Sequence, residues 1–325
     1  MKWSLHKLAM MFGAEGRKAG PDEETQAARD MKVLKKTPEE AAKRKAIIAH
    51  ELEYPLVRNK WKYRRWASII IINLMFVVSY SWDVQLVEGS LSASRFLGFH
   101  MADPNAALQV MLAMREVMLN LLIGTVTVVL VWWLVGGRAF CSWACPYHLL
   151  AEWAEWIHLK LAERGWVKDH PFHRGMRVAI WIIFMGLAFF TGYTVFEYIN
   201  PVGIVSRALI YGPTVALMWV IFLLGVEVFF SRRFWCRYVC PIGLTMGVAG
   251  TGAPLVVKYD LSKCVHEGEC RAVCLVPHVL DITKMGYASD TTEYIAPDCT
   301  RCGLCIDACP QNALSFKVRG LDNII

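Results

Sequence analysis

Cys299-Thr-Arg-Cys302-Gly-Leu-Cys305-Ile-Asp-Ala-Cys309-Pro310 is the stretch on which the reading of this chain turns. Its C-x2-C-x2-C-x3-C-P spacing suits cuboidal iron-sulfur clusters. Three thiolates two residues apart wrap one cluster, and the fourth, placed by proline at the start of a following helix, reaches a second. Zinc also accepts four thiolates, but the ordered run ending in Cys-Pro favours the cluster. A chain with this run carries electrons, and one run predicts a partner run.

The partner lies upstream. Cys264, Cys270 and Cys274 keep the same spacing, except that Glu267 stands where the second cysteine belongs. Cross-ligation assigns Cys299, Cys302, Cys305 and Cys274 to one complete 4Fe-4S cluster. Cys264, Cys270 and Cys309 then supply three ligands to a second cluster with an open corner. The Glu267 carboxylate, nearby His266 or water are candidates to close it, and a 3Fe-4S cluster or an empty site are the other readings.

The 325-residue chain as a whole is 55 % hydrophobic with a positive mean hydropathy, which is too apolar for an ordinary soluble domain. Apolar runs at about 66–82, 117–135, 177–196 and 213–230 read as four membrane spans, the first and last shorter or more interrupted than the ideal. Residues 1–65 carry a net charge of +7, equal to that of the whole chain, and so place the N-terminus on the cytoplasmic side. Arg138, Lys160, Arg164, Lys168, Arg174 and Arg177 between spans two and three, and Arg232, Arg233 and Arg237 after span four, agree with that orientation. The loops around 83–114 and 197–212 are poor in basic residues. The expectation is a multi-pass protein of the bacterial inner membrane with both termini cytoplasmic.

In that reducing compartment all eleven cysteines are available as ligands rather than disulfides. No cleavable signal peptide is evident. Trp3, Leu5, Leu8, Met10, Met11 and Phe12, with Lys2 and Lys7, read as a short amphipathic helix or a frayed tail. Glu15 to Arg65 reads as a solvated helical or partly disordered arm able to meet anionic lipid. Topology explains the charge, so nucleic acid is not expected as a partner.

An internal repeat is the second strong signal. Arg138-x2-Cys141-x3-Cys145-Pro146 follows span two, and Arg233-x2-Cys236-x3-Cys240-Pro241 follows span four. Each thiol pair sits about one helical turn apart, at the entry to a helix begun by proline, where the helix dipole favours an anionic sulfur. A further four-cysteine metal cluster, redox-active thiols, or small buried apolar residues are the readings of Cys141, Cys145, Cys236 and Cys240.

From about residue 60 onward the chain resembles the NapH family of ferredoxin-type membrane subunits associated with periplasmic nitrate reductase systems. The resemblance rests on Phe140-Cys-Ser-Trp-Ala-Cys-Pro146, Glu197-Tyr-Ile-Asn-Pro-Val202, Trp235-Cys-Arg-Tyr-Val-Cys-Pro241, Pro277-His-Val-Leu280 and the complete cysteine motif. It implies four transmembrane helices, a cytoplasmic two-cluster domain and electron flow from quinol toward reductase partners. NosR, CcoG and MauN proteins share the paired C-x3-C-P pattern. Glu267 and Leu275, where the family has Cys and Pro, depart from it.

Quinol oxidation needs a proton acceptor at a membrane edge. Glu227, near the end of span four, is one candidate, with pairing to Arg232, Arg233 or a neighbouring helix as its alternative role. Glu197, Tyr198 and Asn200 form another, with helix capping as theirs. Asn73 and Asn120 are expected to make interhelical hydrogen bonds. His100, His148, His158, His170 and His173 lie in loops or near membrane edges, so no haem b is expected; no C-x-x-C-H stretch supports haem c. No Gly-rich nucleotide fingerprint in the required strand-helix setting is present.

The combined expectation is a mainly α protein. It comprises a charged arm (1–65), a four-span transmembrane bundle carrying both C-x3-C-P motifs (66–250) and a small α+β ferredoxin domain (251–325). It would pass electrons from quinol to an iron-sulfur or cytochrome partner subunit. Copper reduction for metalloenzyme assembly and a structural anchor role are the alternatives.

Overall fold

The computed structural model describes residues 5–20, 22–53, 58–83, 87–96 and 99–320. Helix α1 (Leu5–Ala9) runs into a 3-10 turn at Met10–Phe12. That turn drives Met10 and Met11 into the interior, where they are 3 % and 1 % exposed; Lys2 and Trp3 lie outside the described residues. Helices α2 (Gln26–Leu34) and α3 (Pro38–Glu53) follow. They form no free arm: Met31 packs into the C-terminal core, Thr25 N donates to Ser289 O at 2.9 Å and Lys32 Nζ to Gly286 O at 3.2 Å.

Next come α4 (Lys60–Ser81) and an antiparallel meander of β1 (Val87–Ser90), β2 (Ala93–Phe96) and β3 (Phe99–Ala102). Helices α5 (Pro104–Met114), α6 (Leu119–Val135), α7 (Ala139–Trp143) and α8 (Pro146–Glu163) complete the first half of the bundle. The second half repeats the plan with α9 (Met176–Thr191), α10 (Val195–Ile199), α11 (Pro201–Tyr211), α12 (Leu217–Phe229), a π turn at Trp235–Val239 and α13 (Pro241–Ala249). The bundle is therefore richer than four helices.

Each apolar run of the sequence lies on a helix, but among the described residues no helix is long and apolar enough to cross a membrane. The 22 residues of α4 open with Lys60, Lys62, Arg64 and Arg65. Helices α6, α9 and α12 hold 17, 16 and 13 residues. At about 1.5 Å per residue each falls short of the roughly 30 Å of a hydrocarbon layer. Glycine sets two of these limits, because Gly136 and Gly192 adopt φ of 109° and 70°, the left-handed conformation that ends a helix.

The bundle core is formed by Phe140, Tyr147, Phe196, Val220, Leu223, Trp235 and Met246 with their neighbours. Apolar side chains also cover its outside: Ile71 on α4, Ile123 on α6, Phe190 on α9 and Ile221 on α12 are 64, 55, 81 and 59 % exposed. Asn73 links two helical segments as expected, its Nδ2 donating to Ala144 O at 3.0 Å. Asn120 does not; it is exposed in the first turn of α6.

The C-terminal domain is α+β. Strand β4 (Leu255–Asp260) lies between β5 (Thr292–Tyr294) and β6 (Leu314–Val318), antiparallel to both. Short helices α14 (Glu269–Ala272) and α15 (Leu304–Asp307) and a 3-10 helix at Pro277–Thr283 fill the connections.

Candidate functional site

The two cysteine runs of this domain follow the same backbone path. His266 and Arg301, each two residues after the first cysteine of its run, take left-handed φ values of 57° and 49°. Gly268 and Gly303 then turn left-handed again at 100° and 78° to start α14 and α15. This path aims backbone N–H groups at sulfur. His266 N donates to Cys264 Sγ and Arg301 N to Cys299 Sγ, both at 3.4 Å, and Ala313 N donates to Cys309 Sγ at 3.2 Å. Such bonds stabilise anionic sulfur and tune cluster potential. Glu267 therefore occupies the loop position that Cys302 holds in the other run, with the cradle preserved. One detail differs from expectation: Pro310 opens a turn leading to β6, not a helix.

The eleven cysteines sort into three groups, each lining its own cavity. Cys274, Cys299, Cys302 and Cys305 line one, among Val257, Val279, Leu280 and Ile295. Cys264, Cys270 and Cys309 line a second, together with Glu267 and His266. Cys141, Cys145, Cys236 and Cys240 line the third and largest, about 280 Å³, between the bundle and the C-terminal domain. Among the described residues no three His, Cys, Asp or Glu side chains group closely enough to hold a single metal ion; these are walls around a space. In donor type and arrangement they fit iron-sulfur clusters.

At the three-cysteine cavity, burial and a hydrogen bond to Glu51 of α3 push the Glu267 carboxyl up to about 8. His266 Nδ1 donates to Thr283 O at 2.8 Å, which leaves Nε2 as its ligand atom. Cys270 Sγ lies 3.7 Å from the Thr283 hydroxyl.

At the paired-cysteine cavity the repeat has a geometric meaning. Cys145 and Cys240 are the residues before α8 and α13, with near-identical φ, ψ of −71°, 117° and −61°, 109°. The following prolines fit because a first-turn N–H needs no helical partner. Nucleophilic thiols need a lowered pKa. Here burial pushes Cys141, Cys145 and Cys236 up and Cys240 to about 12, with Arg138 pulling Cys141 the other way. These are thiols that a metal centre, rather than the protein, would deprotonate.

Both repeat arginines are buried and paired. Arg233 bonds Glu155 of α8. Arg138 Nη1 lies 2.7 Å from Asp298 Oδ1, Arg177 Nη2 3.0 Å from the same oxygen, and His278 Nε2 2.8 Å from Oδ2. Burial alone would raise the Asp298 carboxyl, but the two guanidiniums hold it far below the usual carboxylate range. Ser142 Oγ donates to Thr300 O at 2.6 Å and Trp143 Nε1 to Arg301 O at 3.0 Å. The first C-x3-C-P turn is thus bonded directly to the loop bearing Cys299 and Cys302. Asp298 escaped sequence reading because no local pattern marks an acid whose two arginine partners lie 121 and 160 residues away.

Glu227 is fully buried and is not ion-paired with Arg232 or Arg233: Arg232 pairs with Asp169 and Arg233 with Glu155. Its Oε1 accepts from Trp235 N at 3.2 Å, and Tyr147 and Trp235, its neighbours, line the large cavity. Asn200 caps α11 through Val202 N and donates to Glu197 Oε1 at 3.3 Å, whereas Tyr198 is 73 % exposed. His148 and His158 lie buried on α8, the helix that follows the second apolar run, and only the backbone of His100 is described.

A fold with a two-run cysteine domain and paired cysteine turns defines a ferredoxin-type 4Fe-4S electron-transfer protein. A 4Fe-4S binding domain family matches residues 117–164 and 211–254, one match over each C-x3-C-P repeat, and another 4Fe-4S binding domain family matches residues 293–315. The methylamine utilization ferredoxin-type protein MauN of Methylorubrum extorquens is 32 % identical over 80 % of this chain and 89 % of its own. The ferredoxin-type proteins NapH of Haemophilus influenzae and Escherichia coli are 29 % and 27 % identical, each over 80 % of this chain and 91 % of their own. The chain belongs to the NapH/MauN family of ferredoxin-type proteins. No solved structure matches it.

Proposed function

We propose that this protein is an electron-transfer subunit seated in the bacterial inner membrane, with both termini cytoplasmic. It takes electrons from quinol and hands them to an iron-sulfur or cytochrome partner of one redox complex. The observation that carries this reading is the adjacency of cysteine-lined cavities: Val276 and Thr300 line both the paired-cysteine cavity and the one holding Cys274, Cys299, Cys302 and Cys305. Bound 4Fe-4S clusters supply one-electron acceptors. Cys141, Cys145, Cys236 and Cys240 would hold one beside the bundle, the Cys274 group a second, and Cys264, Cys270 and Cys309 with Glu267 or His266 the outermost. The buried Arg138 and Arg233 offset the negative charge that four thiolates bring.

Membrane residence is supported by the apolar outer faces of α4, α6, α9 and α12, since exposed apolar surface of this extent calls for lipid or a partner. Helices about one turn (α6, α9) to two turns (α12) short of the bilayer are accommodated by local thinning or flanking anchors. Quinol is supported by the apolar wall of the large cavity, made by Phe140, Phe172, Trp235, Tyr238 and Ile242, with Glu227 directly behind it as a proton acceptor.

The test is electron paramagnetic resonance of anaerobically purified protein, recorded oxidised, after a menaquinol or ubiquinol analogue, and after dithionite. Cluster signals developed by quinol support the reading. Signals developed by dithionite alone would reduce the protein to a relay whose quinone chemistry lies in a partner.

A further inference from the structure

The two halves of the bundle share more than the cysteine turns. In each, a chain segment returns into the interior and starts an 11-residue helix there with an acid- or amide-capped proline: Asp103-Pro104 opens α5 and Asn200-Pro201 opens α11. Asp103 is 7 % exposed and Asn200 fully buried, whereas the far ends, Met114 and Tyr211, are 60 and 53 % exposed. Both helices therefore begin deep in the bundle and run outward. Their positive dipole ends face the interior.

Around these starts lies a set of polar groups that the fold leaves without protein partners. Asn105 and Gln109, one turn apart on one face of α5, are both fully buried, and neither the oxygen nor the nitrogen of either side chain is bonded. Asp103 Oδ2 accepts from Ala106 N at 3.2 Å while Oδ1 is free. Ser92 Oγ makes no close hydrogen bond and faces the Glu197 carboxylate, and its carbonyl accepts from Asp103 N at 3.0 Å. A Cβ built on Gly203 in the first turn of α11 would meet Ser92 Oγ at 2.9 Å and Glu197 Oε2 at 3.5 Å. Ser92, Glu197 and the start of α11 thus converge, and Glu197 lies near enough to Asp103 to act on its charge.

Buried amides with neither donor nor acceptor satisfied call for ordered water. The helices packed on α5 bring little else: α6 and α13 carry no titratable side chain, and α9 only Arg177, which faces Asp298. Arg207 of α11 is the cation acting on Glu197. Val202, two residues beyond Asn200, lines the paired-cysteine cavity, so the first turn of α11 touches both places.

We propose that this pocket is a proton-loading site: water held between Asn105, Gln109 and Ser92 joins the Asp103 and Glu197 carboxylates, which take up the protons released when quinol is oxidised beside α11. The inference rests on the quinol reading above. In the step, both quinol O–H bonds break and quinone forms. The two electrons would go to two of the iron-sulfur centres, one to each, and the two protons, received in turn at Glu227, go on through water to the Asp103 and Glu197 carboxylates, each forming a carboxylic acid. Asn105 and Gln109 are positioning residues that hold the water.

The test uses the full chain with its clusters in lipid nanodiscs, comparing wild type, Asp103→Asn, Glu197→Gln and Gln109→Leu, each first checked for unchanged dithionite-reduced cluster spectra. Infrared difference spectra over a pH titration, which need no quinol, are expected to show a deuterium-sensitive carboxylic-acid band. Asp103→Asn or Glu197→Gln should remove part of it, and Gln109→Leu should shift it. Stopped-flow reduction by a quinol analogue should slow roughly tenfold or more in Asp103→Asn and Gln109→Leu, with dithionite reduction unchanged. Absence of any band that responds to these variants, or wild-type quinol rates in both, overturns the site. If quinol fails to reduce even the wild type, the quinol reading falls separately. The infrared band alone then decides: its presence upholds a buried proton site, its absence removes it.

Discussion

Glu267 is the residue on which the cluster complement turns. Its loop has the same left-handed turns as the Cys302 loop, so a cysteine fits there without rebuilding the backbone. Glu267→Cys is expected to give the outer site an all-cysteine 4Fe-4S cluster, read by Mössbauer spectroscopy as loss of the one iron with an oxygen or nitrogen ligand, or as a gain of one iron if the wild type holds 3Fe-4S; no outer-cluster signal in either form would show that the cavity holds no cluster. Asp298 is the second such residue. Asp298→Asn leaves Arg138 and Arg177 buried without their counter-charge, and removing one partner of a buried pair costs about 3–5 kcal/mol. The expected result is a loss of thermal stability of that order, together with weakened attachment of the C-terminal domain seen by limited proteolysis.

At the scale of elements, the two C-x3-C-P turns act as one unit because α6 and α13 approach closely. Gly137 has a φ of 63°, and a Cβ there would stand 2.3 Å from Met246 O and 2.4 Å from Gly250 Cα. Both are backbone atoms that cannot swing aside. Gly137→Ala is therefore expected to push α13 away from the first cysteine turn and open the large cavity. Bound iron should fall by one cluster's complement, as it should in Cys141→Ser, while the signal of the Cys274 group persists. The legibility of these elements differed. Proline after the second cysteine announced the starts of α8 and α13, because a proline at a first helical position is a local rule. The inward helices α5 and α11 follow the same rule through Asp103-Pro104 and Asn200-Pro201. Their placement was not legible, since a segment of 11 residues in a polar-flanked loop gives no sign that it turns back into the core.

For the whole molecule, the N-terminal segment, the bundle and the C-terminal domain form one connected body. Arg174 and Arg177 bond the carbonyls of Met10 and Met11, and Lys35 bonds the carbonyl of Cys264. The charged segment is thus a brace over both the large cavity and the outermost cysteine site. The apolar exterior of α4, α6, α9 and α12 makes a further prediction at this scale: the protein should stay with membranes through an alkaline carbonate wash and enter solution only with detergent. Release by carbonate alone would show that another protein, not lipid, covers those faces.

The amino-acid sequence by itself determined the cysteine chemistry, because ligand spacing is a local property: thiolates two and three residues apart must share a loop or a helical turn whatever surrounds them. It also determined which stretches are apolar helices, and their repeat. Only the tertiary structure decided that the cysteines line three separate cavities, that Asp298 joins Arg138, Arg177 and His278, and that Asp103, Asn105 and Gln109 lie at the bundle's interior. These depend on contacts between residues far apart in the chain. Such contacts form when the burial of apolar surface and the pairing of buried charges outweigh the entropy of closing long loops, a balance that no short stretch of sequence contains.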